Sequence, residues 1–254
     1  MKIYLNRKPI VGPWGGGNKV VSELAKKLID SGIEVVYKLE KDIDKIICFD
    51  PRPNENGEWY QTFLEYQQSS GCKIIQRVGD LGTHSKPELT YLVKQSIHFS
   101  DFVIFTSSWA KDWIGFKNNN CKVVNNKPLP LFHNNKQLDS KLNNTINLVT
   151  HHWSTNPKKG FDVYQKLDEY LENNKHYNFT YVGRLPNGLS FKNIKCLKPM
   201  TAEELSDFLP KQDIYITASL EEAGANHVLE AMASGLPVVY HEDGGSIVDY
   251  CKSR

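Results

Sequence analysis

What the 254-residue sequence lacks narrows its class first. No uninterrupted apolar run approaches the roughly 20 residues that a membrane-spanning helix needs, so no transmembrane segment is expected. The start, MKIYLNRKPIVGPWGGG, turns glycine-rich at once and holds no apolar stretch of the signal-peptide kind. The five cysteines, Cys48, Cys72, Cys121, Cys196 and Cys251, are odd in number and contain no Cys-x-x-Cys pair. That excludes a disulfide framework and a zinc spacing, and it points to small core thiols in a reducing cytoplasm. Charge of one sign is also missing. Thirty-one Lys and Arg against 29 Asp and Glu leave a net charge of +2, too little for a strong nucleic-acid or membrane-surface field. No repeat of 20–50 residues is found.

What is present is ordinary for a globular protein: 40% hydrophobic and 24% charged residues, enough for one large or two small domains. Short β-rich runs, KIYLN, EVVY, KIICF, KIIQRV and FVIFTS, alternate with the helical patterns NKVVSELAKKLIDSG, EWYQTFLEYQQSSG and PELTYLVKQSIHF. In the first helix Val20, Val21, Leu24, Ala25, Leu28 and Ile29 recur at helical spacing, and Gly32 is placed to end it. Around residues 127–147 periodicity stops, with prolines first and then asparagine and lysine, the texture of a linker. The alternation then restarts with INLVTHHW, GFDVYQKLDEYLENN, NFTYVG, IKCL, TAEELSDFLP, DIYITAS, HVLEAMASG and PVVYH. Thr201 and Glu204 have the spacing of a capping box. The expected architecture is two doubly wound α/β domains, residues 1–130 and 131–254, facing a cleft.

The run EEAGANHVLEAMASGLPVVYHEDGG, from Glu221, carries the chemistry. Strand DIYITAS is expected to end at Ser219, so the run opens at a strand's carboxyl end, where open α/β sheets bind ligands. A helix beginning near Asn226 or His227 offers unpaired N–H groups to an anion, and Gly224 and Ala225 let a phosphate approach the backbone. Glu222 precedes the helix and Glu230 is expected in its first turn. Carboxylates repel phosphate but accept hydrogen bonds from sugar hydroxyls. A diphosphate flanked by two sugars is a nucleotide-sugar. Acids near a helix start also favour its dipole, which alone explains many such glutamates; the loop's place in the sheet tips the reading towards a ligand site.

The same residues resemble a family. SLEEAGANHVLEAMASGLPV is similar to the donor signature S-x-x-E-G-x-G-x-x-x-x-E-A-M-A-x-G-x-P-V of the retaining GT-B glycosyltransferases of family 4, the glycosyl transferases group 1. WGGGNKVVSELAKKLIDSGIEV and PKKGFDVYQKL resemble two further family segments, in the same order. The resemblance implies a GT-B-like fold and transfer of a sugar from a nucleotide-sugar to an acceptor hydroxyl, with retention. It implies that Glu230 holds the ribose, Glu222 lies beside the transferred sugar, and the backbone at Ala225, Asn226 and His227 takes the diphosphate. Lys159 would neutralise the leaving phosphates, with Gly16 and Gly17 closing over them from the other domain. Leaving-group charge is then met by a lysine and backbone dipoles, so no metal and no cofactor is expected.

Some residues depart from the pattern. Where the family carries an arginine this chain has Ser154, and His151, His152 or Lys158 are the stand-ins. Arg184, in VGRLP, follows the second strand of its half and is expected near the nucleobase. In the loop after KIIQRV, Asp80 and His84 are the acceptor-side candidates, and both are also turn formers. Family members continue with further helices, so a compact or truncated C-terminal domain is expected. The acceptor is a glycan, a lipid-linked molecule or a small molecule, with no nucleic acid; the place is the cytoplasm, at a membrane surface if the acceptor is lipid-linked. Two other readings stay open: a non-catalytic nucleotide-sugar-binding or assembly protein, and a nucleotide-sugar epimerase on the same plan.

Overall fold

The computed structural model describes residues 1–10, 16–133 and 145–252; residues 11–15 of the glycine loop, 134–144 of the expected linker, and 253–254 lie outside the described residues. Two compact units divide between Asn125 and Asn126. The boundary drawn at 130 therefore shifts, because Leu129, Leu131 and Phe132 pack into the second unit's core.

In the first unit the order is β1 (Lys2–Leu5), α1 (Gly16–Asp30), β2 (Glu34–Val36), β3 (Lys45–Cys48), α2 (Tyr60–Ser70), β4 (Lys73–Val78), α3 (Pro87–Phe99), β5 (Phe102–Phe105), α4 (Ser108–Ile114) and β6 (Cys121–Val123). All strand pairs are parallel, in the order β2-β1-β3-β4-β5-β6. Strand alternation explains why both faces are covered. Ile3, Leu5 and Ile47 face α1, while Tyr4, Ile46 and Cys48 turn to a second cluster with Tyr60, Phe63 and Ile74. Ile29 falls outside this packing and is exposed, which narrows the stripe read from the helical spacing. Ser107 caps α4 by accepting from the Ala110 N–H at 3.0 Å.

In the second unit the order is β7 (Ile146–His152), a 3-10 turn (Pro157–Lys159), α5 (Phe161–Glu172), β8 (Tyr177–Gly183), β9 (Lys195–Leu197), α6 (Ala202–Phe208), β10 (Ile214–Thr217), α7 (Asn226–Ala233), β11 (Val238–Tyr240) and α8 (Ser246–Lys252). This sheet is also parallel, ordered β11-β10-β7-β8-β9. The chain builds outward from β7 to β9, then returns to β7's other side with β10. The switch point, where loops diverge and leave a crevice, therefore lies at the carboxyl ends of β7 and β10. Thr201 and Glu204 form the expected reciprocal cap on α6, with bonds of 3.2 and 2.7 Å. The expectations are corrected at four elements: β10 stops at Thr217 rather than Ser219, and α4, β6 and α8 are elements that the apolar patterns did not mark. Among the described residues no helix is long and apolar enough to cross a membrane.

Candidate functional site

The last residues of β7 alternate across the sheet at the switch point. Thr150 and His152 face α5, where the His152 ring nitrogen Nε2 lies 2.8 Å from the Tyr164 hydroxyl. His151 faces α7. After β7 the chain makes the Pro157–Lys159 turn, capped by the Asn156 side chain, and enters α5 through Gly160. A side chain at Gly160 would put its Cβ 2.3 Å from that of Ala218 at the end of β10, and φ there is +80°. This close approach brings two consecutive lysines against two consecutive glutamates. Lys158 pairs with Glu221, and Lys159 pairs with Glu222 through a short charge-assisted contact. The outer pair is half-exposed; in the inner pair Lys159 is buried and Glu222 partly so. The Leu220 N–H donates to the Lys158 carbonyl at 2.8 Å, so backbone as well as charge closes this seam.

The loop from β10 to α7 is held from its other side by the turn after β11. The Glu222 N–H donates to Gly244 and the Ser246 N–H to the Glu222 carbonyl, at 3.3 and 2.8 Å. Gly245 has φ +69°, and a Cβ there would lie 2.6 Å from the Glu222 carbonyl oxygen. Glu222 is thus fixed by its backbone, with Lys159 on its carboxylate.

Glu230 lies beyond the first turn of α7, which holds no acid. This corrects its expected position, and at that depth a gain from the helix dipole no longer accounts for it. It is buried, and its Oε2 lies 3.0 Å from His151 Nε2. His151 Nδ1 in turn lies 3.1 Å from the hydroxyl of fully buried Tyr215 on β10. That hydroxyl accepts from the His151 backbone N–H at 3.2 Å. The His227 ring packs among His151, His152 and Tyr215, with centroids 5.1–6.2 Å apart. His227 keeps some surface, yet burial pushes its pKa down to about 3; Lys159 adds to the shift and Glu222 opposes it. It is therefore neutral at ordinary pH. Burial likewise raises the Tyr215 phenol well above its usual range.

The remaining sequence candidates are scattered. Ser154 accepts from the Asn156 N–H at 3.2 Å and shapes the loop. Arg184 stacks on Trp153, its guanidinium 4.1 Å from the ring centre and its Nε donating to the Trp153 carbonyl at 2.8 Å. At the start of α7 the Ala225 N–H donates to Ser246 Oγ and the Asn226 N–H to the Gly224 carbonyl, both at 3.0 Å. Two of the three amides implied for a diphosphate are thus engaged within the protein. His151 and His152, offered as stand-ins for the absent arginine, are tied to Glu230 and Tyr164 instead. Gly16 and Gly17 begin α1 in the first unit. His84 lies half-buried in the turn after β4, where Asp80 accepts from the Gly82 N–H at 2.8 Å and pairs with Lys86 at 2.6 Å. Asp80 is a turn former in this structure. Among the described residues no group of three His, Cys, Asp or Glu could hold a metal ion.

Sequence reasoning singled out Lys159, Glu222 and Glu230 as candidates but did not single out Tyr215 or Glu221. Tyr215 looks like any strand aromatic until its hydroxyl finds His151. Glu221 gains meaning only because Lys158 stands opposite.

Comparison with known proteins follows this geometry. Residues 149–252 match the family described as glycosyl transferases group 1. That segment contains the last four residues of β7, the lysine turn, Glu222 and Glu230. No curated protein matches the sequence. Among solved structures, sucrose-phosphate synthase from Thermosynechococcus elongatus is similar at TM-score 0.63 and 14% identity, over 98% of this chain and 82% of that one. WaaG, a glycosyltransferase involved in lipopolysaccharide biosynthesis, is similar at TM-score 0.63 and 14% identity, over 99% and 83%. A glycosyltransferase from Rickettsia africae is similar at TM-score 0.63 and 12% identity, over 99% and 82%. At such identities the likeness shows the fold, which is GT-B-like. The family match over the second unit supports glycosyl transfer from a nucleotide-sugar.

Proposed function

We propose that the protein transfers a sugar from a nucleoside-diphosphate sugar to an acceptor hydroxyl, with retention of configuration and without a metal ion. One observation carries this reading. Lys159, buried against Glu222, stands at the switch point of a parallel sheet, inside the segment that matches the glycosyl transferases group 1. Breaking the anomeric C–O bond leaves positive charge on the sugar and negative charge on the departing diphosphate. A lysine ammonium has three donors, so Lys159 can keep Glu222 and still bond a phosphate oxygen. Glu222, held by its backbone, serves the donor sugar's hydroxyls rather than attacking carbon. In this reading Glu230 takes the ribose, and Gly224 to His227 face the diphosphate. Arg184, stacked on Trp153, lies towards the base. Ser154 carries no charge, so Lys159 is left as the main phosphate cation. Gly16, Gly17 and His84 keep the roles that the resemblance implies, and the acceptor is a glycan, a lipid-linked molecule or a small molecule.

The test is a panel of nucleotide-sugars, first by thermal shift and then by release of nucleoside diphosphate without acceptor. A ligand at 100 times its Kd stabilises by about 2.7 kcal/mol, well within reach of a melting experiment. Slow donor hydrolysis with the stabilising nucleotide-sugar is expected. Binding without any release of diphosphate or transfer would make this a binding protein. No stabilisation by any member would remove the reading.

A further inference from the structure

The chain Tyr215–His151–Glu230 links three elements of the second unit, β10, β7 and α7, through buried side chains. Its polarity follows from donor counting. The Glu230 carboxylate only accepts, and the Tyr215 hydroxyl, which accepts from the His151 backbone N–H, lies 3.1 Å from His151 Nδ1 and 3.4 Å from the His151 carbonyl. The imidazole then carries its proton on Nε2 and donates it to Glu230 Oε2. Each member fixes the next, and the carboxylate at the end is held in rotation as well as in place. A buried carboxylate without such a donor would bear its desolvation alone.

We propose that His151, oriented by Tyr215, is the positioning residue that turns Glu230 into a receptor for a vicinal diol. Donor recognition then depends on the ribose 2′- and 3′-hydroxyls rather than on the base alone. The proposal rests on the reading of Glu230 as the ribose ligand and adds what makes that carboxylate selective. With Oε2 occupied by the imidazole, the carboxylate plane is set by a donor on the strand, not by the ligand. A ribose diol meets an acceptor already aligned. A deoxyribose offers that aligned acceptor no hydroxyl, which is where discrimination arises. His227, neutral and packed edge-on against His151 at 6.2 Å, confines the ring without competing as a cation.

The experiment measures Kd by calorimetry for ADP, GDP and UDP, for their 2′,3′-dideoxy counterparts, and for inorganic pyrophosphate. The proteins are the wild type, His151→Phe, His151→Gln and Tyr215→Phe, each checked for folding by circular dichroism. The wild type should prefer the ribo form of its nucleotide by roughly tenfold or more, the worth of one hydrogen bond to a charged group. His151→Phe should bring that preference close to unity while leaving affinity for the dideoxy nucleotide and pyrophosphate unchanged. Tyr215→Phe, which deletes only a hydroxyl, should lose part of the preference. His151→Gln, which keeps an N–H donor, should retain most of it. A merely structural role would lower all ligands together, and that result overturns the proposal. So does a ribo preference that survives both His151→Phe and Tyr215→Phe. If His151→Phe does not fold, Tyr215→Phe alone decides, because its ratio of ribo to dideoxy affinity must fall. A wild type that binds nucleotides with no ribo preference removes the reading of Glu230 itself, a failure distinct from loss of the His151 effect.

Discussion

Lys159 and Glu222 are each other's counter-ion in a buried place, and this changes how either is tested. Removing one charge takes the counter-ion from the other, a loss of up to about 3–5 kcal/mol, the scale for a buried pair. Lys159→Ala should therefore lower both turnover and stability. The double variant Lys159→Met with Glu222→Gln should recover most of the stability and none of the turnover. Denaturant midpoints beside donor-hydrolysis rates separate the two effects; if the double variant also regained turnover, Lys159 would not be the cation for the leaving group. At least about a tenfold loss of turnover is expected for Lys159→Ala, since 1.36 kcal/mol of lost transition-state stabilisation is tenfold in rate. Lys158, in the half-exposed outer pair, should matter far less. Glu230→Ala should weaken nucleoside-diphosphate binding by about 1.5–3 kcal/mol, read by calorimetry on the folded variant. Unchanged affinity there would place the ribose elsewhere.

At the scale of elements, the seam between the lysine turn and the β10–α7 loop depends on Gly160. Its φ of +80° and its approach to Ala218 leave no room for a methyl group. Gly160→Ala should cost more than about 1 kcal/mol, and it should depress turnover by more than its effect on folding, because it pushes Lys159 away from Glu222. Thr201→Ala, which opens the cap of α6 far from the seam in sequence, should cost about 1 kcal/mol in urea unfolding and leave turnover alone. Much of this was readable in the sequence. The period of the strands, the capping box and the helix start at Asn226 are local signals, and the structure repeats them. β6 was missed because a three-residue edge strand with exposed Lys122 at its centre makes no apolar run, and α4 and α8 because a seven-residue helix gives too short a pattern for a period to register unless, as in α6, a capping box marks its start. The depth of Glu230 in α7 turned on one residue of helix phase. Its link to His151 is a contact between residues 79 apart in the chain, which no local pattern encodes.

For the whole molecule, two measurements follow. Activity should survive EDTA, because Lys159 and backbone dipoles are proposed to do a cation's work; loss in EDTA with rescue by manganese or magnesium would contradict the mechanism. Stability should fall in mild acid. His227 has its folded pKa at about 3 against 6.5 for a free imidazole. Above about pH 6.5 both states are neutral there and nothing changes. Below it the unfolded chain binds a proton that the folded chain refuses, so stability drops until the pH nears about 3. Denaturant midpoints of wild type and His227→Gln should therefore converge as the pH falls through that window; parallel curves would show that His227 is solvated. The order of strands has a further consequence, in the time of synthesis. β7 is the first strand of its sheet to be made, yet it lies in the middle. β8 covers one side soon afterwards, but the other waits for Ile214–Thr217. Until then the nascent chain carries an open β edge whose His151 still awaits Tyr215 and Glu230, and any neighbouring strand can pair with it. A message broken before the codon for Ile214 would thus yield a sticky fragment, and slow decoding there would lengthen the exposure.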